Sequence, residues 1–242
     1  MPGGTFGSGA RDGVEGQKGS AMTTTQPTEG PTAWPATPDE ALRFLLDGNE
    51  RFVTGRVDHP NQDAERRAEA ANQQHPFAVL FGCSDSRVAA EIVFDRGIGD
   101  LFVVRTAGHL IGEEVLASID FGVAVLGTPL VVILSHDSCG AVGAALDAHQ
   151  SAVTPAGHMR YIVERLTPEV LEARAAGITD RDEVVRMHGR QTAEDLLEQS
   201  TLLREGVEAG TCGIVVLAYQ LADGRAHVIA AHGVEPPAPP HA

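Results

Sequence analysis

Cys83, His136 and Cys139 are the residues of this 242-residue chain whose types and spacing suit a metal ion. His136 and Cys139 form an H-x-x-C pair in SHDSCGAV (135–142). On a turn entering a helix, that spacing lets both side chains face one point. Joined by Cys83 they make a Cys₂His set, two soft thiolates and an imidazole, which suits tetrahedral Zn²⁺. Three protein ligands leave a fourth position for water, the pattern of a catalytic rather than a structural zinc site. Two residues beyond Cys83, in FGCSDSRVAAE (81–91), stand Asp85 and Arg87. An i, i+2 pair in a bend can turn both heads to one side, and a guanidinium matches a carboxylate two-pronged.

Each feature taken singly also has an inert reading. Free cysteines are common in cores, an H-x-x-C arises by chance, and Asp85–Arg87 could be a structural ion pair. A Cys83–Cys139 disulfide is open in principle, though a reducing compartment disfavours it. Cys212, inside GTCGIVV, reads as packing.

The elements that must position these residues can be read from the apolar runs. FAVLFGC (77–83), LFVVRTAG (101–108) and PLVVILSH (129–136) are short and continuously apolar, as strands covered on both faces of a parallel sheet are. RVAAEIVFD, EEVLASIDFGVAVLG and GAVGAALDAHQ have helical spacing. Residues 157–208 read as two or three helices broken near Gly177 and Thr179. GIVVLAYQLADGRAHVIA adds a fourth core strand and a hairpin turning at Asp223-Gly224. This rhythm predicts an α/β fold: a mostly parallel central sheet of about four strands plus an edge strand, flanked by helices through right-handed crossovers. Open sheets bind ligands outside the carboxyl ends of their strands, where Cys83, His136 and Cys139 fall.

Before the sheet, TPDEALRFLLDGNERFVTG predicts an amino-terminal helical arm. Thr37 caps it, Pro38 fits the first turn, Glu40 completes a capping box, and Ala41, Phe44, Leu45 and Phe52 give an apolar stripe. Residues 1–36 hold eight of the 27 glycines and read as disordered, with Met22 an alternative start. Residues 37–234 form one domain, and 235–242 are a flexible Pro-rich tail. The net charge of −15 argues against nucleic acid and against an anionic membrane surface. No apolar run approaches the roughly 18 residues that span a bilayer, and the first residues lack a signal pattern. The expected compartment is the cytoplasm.

CSDSRV followed by HDSCGAV resembles the β-class carbonic anhydrases, whose signature is C-x-D-x-R and then H-x-x-C. The resemblance extends through FVVRTAGH over roughly residues 40–230. It implies zinc-dependent, reversible hydration of carbon dioxide to bicarbonate and a proton by zinc-bound hydroxide, oriented by an Asp85–Arg87 dyad. It also implies that Asp85, released by Arg87, can take the fourth zinc position in a closed, inactive form. Substrate-facing positions carried over are Gln74, Phe102, Ala107, Phe121 and Gly140. Gln74, with Leu80 where the bicarbonate-regulated branch has Trp, indicates the plant-like branch; Phe121 stands where relatives there often have Tyr. The family's arm lies across a partner subunit, so the chain is expected to self-associate as a dimer or a dimer of dimers.

Two other classes share these features: a zinc hydrolase of CS₂ or COS, and a non-enzymatic scaffold with structural zinc. A thiol-redox protein is weaker, since no C-x-x-C is present. His109, after RTAG, is a positional candidate for a proton shuttle or a rim residue. No spacing recommends His59, His75, His158 or His188.

Overall fold

The computed structural model describes residues 34–237; residues 1–33 and 238–242, which carry most of the expected disordered start and Pro-rich end, lie outside them. Five strands form one sheet: β1 Ala78–Cys83, β2 Leu101–Thr106, β3 Leu130–His136, β4 Gly213–Tyr219 and β5 Ala226–His232. Their order is β2-β1-β3-β4-β5. β1 pairs in parallel with β2 and β3, β3 with β4, and only β5 runs antiparallel. The α/β expectation is met, down to the closing hairpin with Gly224 at φ 75° in its turn.

Parity along each strand divides the core, because successive side chains point to opposite faces. Ala78 and Leu80 join Leu130, Val132 and Leu134 on one face. Val79 and Phe81 join Val131, Ile133, Ile214 and Val216 on the other. β1 and β3 are buried throughout, whereas every residue of β2 is only half-buried, since β2 is an edge.

Among the described residues, eight α-helices surround the sheet: α1 Pro38–Val53, α2 Ala64–Ala70, α3 Ala90–Val93, α4 Glu113–Asp120, α5 Gly140–Ser151, α6 Met159–Ala175, α7 Arg181–Gln199 and α8 Thr201–Glu208. Thr37 and Glu40 form the expected capping box of α1. The predicted helix at RVAAEIVFD shrinks to the single turn of α3. The one at EEVLASIDFGVAVLG relaxes after Asp120 into a wider turn, Phe121–Val125. The predicted two or three helices of 157–208 are α6, α7 and α8.

The stripe of α1 is covered by its own sheet. Ala41, Leu42 and Leu45 are fully buried against Phe77, Leu80 and Val215. Buried Asn49 ties the helix down, donating to Val93 O and Gly224 O at 3.1 and 2.8 Å and accepting from Ala226 N–H at 2.9 Å. Of the predicted stripe, Ala41 and Leu45 are thus covered within the chain, whereas Phe44 and Phe52 stay half-buried. Its apolar side chains share that face of β1 and β3 with Ala90 and Val93 of α3.

The chain goes from β1 outward to β2, then returns past β1 to β3. The order thus reverses between β1 and β3, which makes their carboxyl ends the switch point where open sheets place ligands.

Candidate metal centre

β1 ends on Cys83 and β3 ends on His136, on adjacent parallel strands. Cys139 follows after a short turn and caps α5. Ser138 takes φ 52° in that turn, and its N–H donates to Asp182 Oδ1 of α7 at 2.9 Å. Asp137 braces the turn from below, its N–H donating to Tyr219 O and its carboxylate accepting from Leu221 N–H. The two Sγ atoms and a ring nitrogen of His136 all lie within 4.8 Å of one another, and all three residues are buried.

The tautomer of His136 follows from its neighbour. Nδ1 lies 2.8 Å from Asp137 O, an atom that can only accept, so Nδ1 carries the proton. In the neutral ring Nε2 is then the free lone pair, and it is buried and without a hydrogen-bond partner. Buried polar atoms are almost always paired. An orphaned imidazole lone pair beside two thiols is the donor arrangement that a zinc ion completes, with the ring's other nitrogen fixed by a backbone carbonyl.

The thiols differ. The Cys139 thiol beside it, then His136 and the Gly108 N–H, pull the Cys83 thiol down; Cys83 in turn pushes Cys139 up. Cys212 is remote from this pair and buried under α8, which pushes its thiol up to about 12, as inert packing requires.

Asp85 and Arg87 meet as the spacing suggests. Arg87 Nε and Nη2 donate to Oδ1 and Oδ2 at 2.9 and 2.7 Å, and the Arg87 N–H adds a third bond at 3.0 Å. The guanidinium holds the Asp85 carboxyl well below the usual carboxylate range. Arg105, which the sequence reading passed over, pins the loop from the neighbouring strand. Its Nε donates to Cys83 O at 2.8 Å and its Nη2 to Asp85 O at 2.6 Å. A charged residue inside the apolar run LFVVRTAG was the available signal.

Ala107 and Gly140 lie exposed at this end of the sheet, beside Cys83 and Cys139. Gln74, Phe102 and Phe121 do not. Gln74 precedes β1, at the end opposite Cys83, and Phe102 pairs with Val79 rather than with the cysteine end. Thr106 is four positions on from Phe102, which is about 13 Å along the strand. Phe102 and Phe121 instead face each other, ring centroids 6.0 Å apart, in a patch where Phe121 is 42% exposed. His109 is not on the rim: it is 1% exposed, behind Phe81. His188, which no spacing recommends, is buried and bonded on both ring nitrogens.

Comparison with known proteins agrees with this geometry. A family model described as "Carbonic anhydrase" matches residues 78–226. A carbonic anhydrase of Mycolicibacterium smegmatis is 53% identical over 188 residues, covering 78% of this chain and 91% of that protein. Carbonic anhydrase 2 of Mycobacterium tuberculosis is 51% identical over 189 residues, with the same coverage of 78% and 91%. Among solved structures, the β-carbonic anhydrase CafA of Aspergillus fumigatus superposes with a TM-score of 0.61 at 26% identity, over 79% of this chain and 90% of that one. A chain of the tetrameric β-carbonic anhydrases of Sordaria macrospora gives 0.61 at 20% identity, over 80% and 99%, a likeness of fold.

Proposed function

This chain belongs to the β-class carbonic anhydrases, and from that premise we propose that it hydrates carbon dioxide reversibly with Zn²⁺ held by Cys83, His136 and Cys139. The observation that carries the metal is the orphaned Nε2 of His136 facing two thiols within 4.8 Å. The donor set fits zinc in number, softness and geometry. When bound, the ion supplies Lewis acidity and hence hydroxide near neutral pH.

The chain's own residues do the rest. Asp85, kept ionised by Arg87, accepts the O–H of the attacking hydroxyl and so aims its lone pair at CO₂. Arg105 fixes the backbone on both sides of that carboxylate. Because Arg87 grips both oxygens of Asp85, the carboxylate is held as a hydrogen-bond acceptor and would be kept from turning onto a metal held by Cys83, His136 and Cys139. Ala107 gives CO₂, small and uncharged, an apolar wall, and the backbone at Gly140 faces the substrate oxygens. The test is stopped-flow CO₂ hydration from about pH 6.5 to 9, with and without a chelator. Activity that the chelator abolishes and zinc restores is expected. Turnover of CS₂ or COS alone, or no chelator-sensitive hydration, overturns the reading.

A second protomer completes the site. Gln74, Phe102 and Phe121 lie away from the metal group of their own chain, on or beside the half-buried edge strand β2. Edge strands of this kind are covered in native proteins. We place this patch against a partner's metal centre, in a dimer or a dimer of dimers. Sedimentation at low micromolar concentration should give at least twice the 25.4 kDa of one chain, and Phe121→Lys should lower both mass and activity. A fully active monomer sinks the idea. No helix among the described residues is long and apolar enough to cross a membrane. We assign the protein to the cytoplasm, whose reducing conditions keep all three cysteines free; recovery of the protein outside that fraction would contradict this.

A further inference from the structure

Gly108 links the metal group to the interior of the helical layer. Its N–H donates to Cys83 Sγ at 3.3 Å. Its carbonyl accepts from His188 Nε2 at 2.7 Å, and His188 Nδ1 meets Glu169 Oε2 at 2.6 Å. Four groups from β1, the turn after β2, α7 and α6 are thus joined in one line: thiol, glycine, imidazole and carboxylate.

Packing fixes each member. At Gly108 φ is 67°, and a Cβ there would sit 2.7 Å from Ala141 Cβ, so both conformation and space call for glycine. Gly189, next to His188, lets α7 approach the sheet: a Cβ there would lie 3.1 Å from Ser135 Cβ and from Val216 Cγ1. That approach carries the His188 ring inward, where the His109 ring packs on it at 4.2 Å between centroids. A carbonyl only accepts, so His188 Nε2 must carry a proton. An ionised Glu169 likewise accepts from Nδ1–H, which fixes the ring on both sides.

The amide bonded to Cys83 and the carbonyl bonded to His188 belong to different peptide units on either side of the Gly108 Cα. The coupling is therefore through orientation. A glycine has broad conformational freedom, and a grip on its far end adds to the packing that keeps its N–H aimed at sulfur.

We propose that Glu169 and His188 are positioning residues for the ligand Cys83: through Gly108 they aim a backbone N–H at its sulfur, which sets the thiolate's orientation and electron donation to the metal. This rests on the zinc reading above. Groups that orient a metal ligand are commonly worth about 10- to 100-fold in metal affinity when removed. The experiment uses full-length protein loaded with Co²⁺, whose thiolate-to-metal charge-transfer band reports sulfur donation directly, together with zinc dissociation constants from competition.

His188→Leu should shift that band and weaken zinc by roughly 10- to 100-fold. His188→Gln, whose amide can still donate to Gly108 O, should recover most of both. Glu169→Gln, a milder change at a half-buried site, should move the band in the same direction by less, and it keeps the test informative if His188→Leu does not fold. Wild-type bands and zinc affinity in folded His188→Leu, or in Glu169→Gln if His188→Leu is lost, overturn the inference. A wild-type protein that binds neither Co²⁺ nor Zn²⁺ overturns the zinc reading beneath it instead.

Discussion

Cys139→Ala should yield a folded protein that retains little zinc and hydrates CO₂ more than about a thousandfold slower than the parent. Folding should survive because the change removes one sulfur from the cluster of Val142, Leu166 and Val170, and single small core truncations cost on the order of 1–3 kcal/mol. Metal should not survive, because two donors remain where a stable site needs three. Hydration then falls back on free hydroxide, which is scarce at neutral pH when water has a pKa near 15.7. Zinc content by mass spectrometry and rate by stopped flow should fall together. Stoichiometric zinc with near-parental turnover would remove Cys139 from the ligand set.

Asp85→Ala tests the other half of the site and should separate the two readouts. Asp85 is absent from the three-residue metal group, so zinc content should stay close to the parent's. The rate should drop by about 100-fold or more, the usual scale for losing an oriented acceptor at the reacting atoms. Arg87 loses the partner for three of its hydrogen bonds. At 53% side-chain exposure the freed guanidinium remains hydrated, so stability should change little. Parental activity in Asp85→Ala would make the Asp85–Arg87 pair a structural ion pair and nothing more.

The parts of this molecule that could be read in its sequence are those where residue type and element agree. Cysteine and histidine at the ends of apolar runs have one economical place in an open sheet, and β1, β3 and β4 announce themselves because both of their faces are buried. β2 read the same way, yet is half-buried, since the run LFVVRT records apolar content and not strand order. α2 escaped notice because AERRAEA buries nothing and is held by the Asp63 cap. Gly108, His188 and Glu169 are brought together by crossings of α6, α7 and the turn after β2, at sequence separations that leave no period. The roles of Phe102 and Phe121 came from resemblance, which says nothing of the protomer on which a side chain sits.

The metal group also bears on how the chain is made. Its donors lie 56 residues apart at the outside, from 83 to 139, and converge only when β1 and β3 pair. Closing so long a loop on one ion is entropically costly for an unfolded chain, so a zinc ion bound as proposed would favour the native fold over the unfolded chain. A ligand that prefers the native state stabilises it by mass action, by about 2.7 kcal/mol at a hundred times its dissociation constant. The cell's free zinc would then govern how long this enzyme endures as well as how fast it turns over, and a nascent chain halted before residue 139 could gain neither benefit.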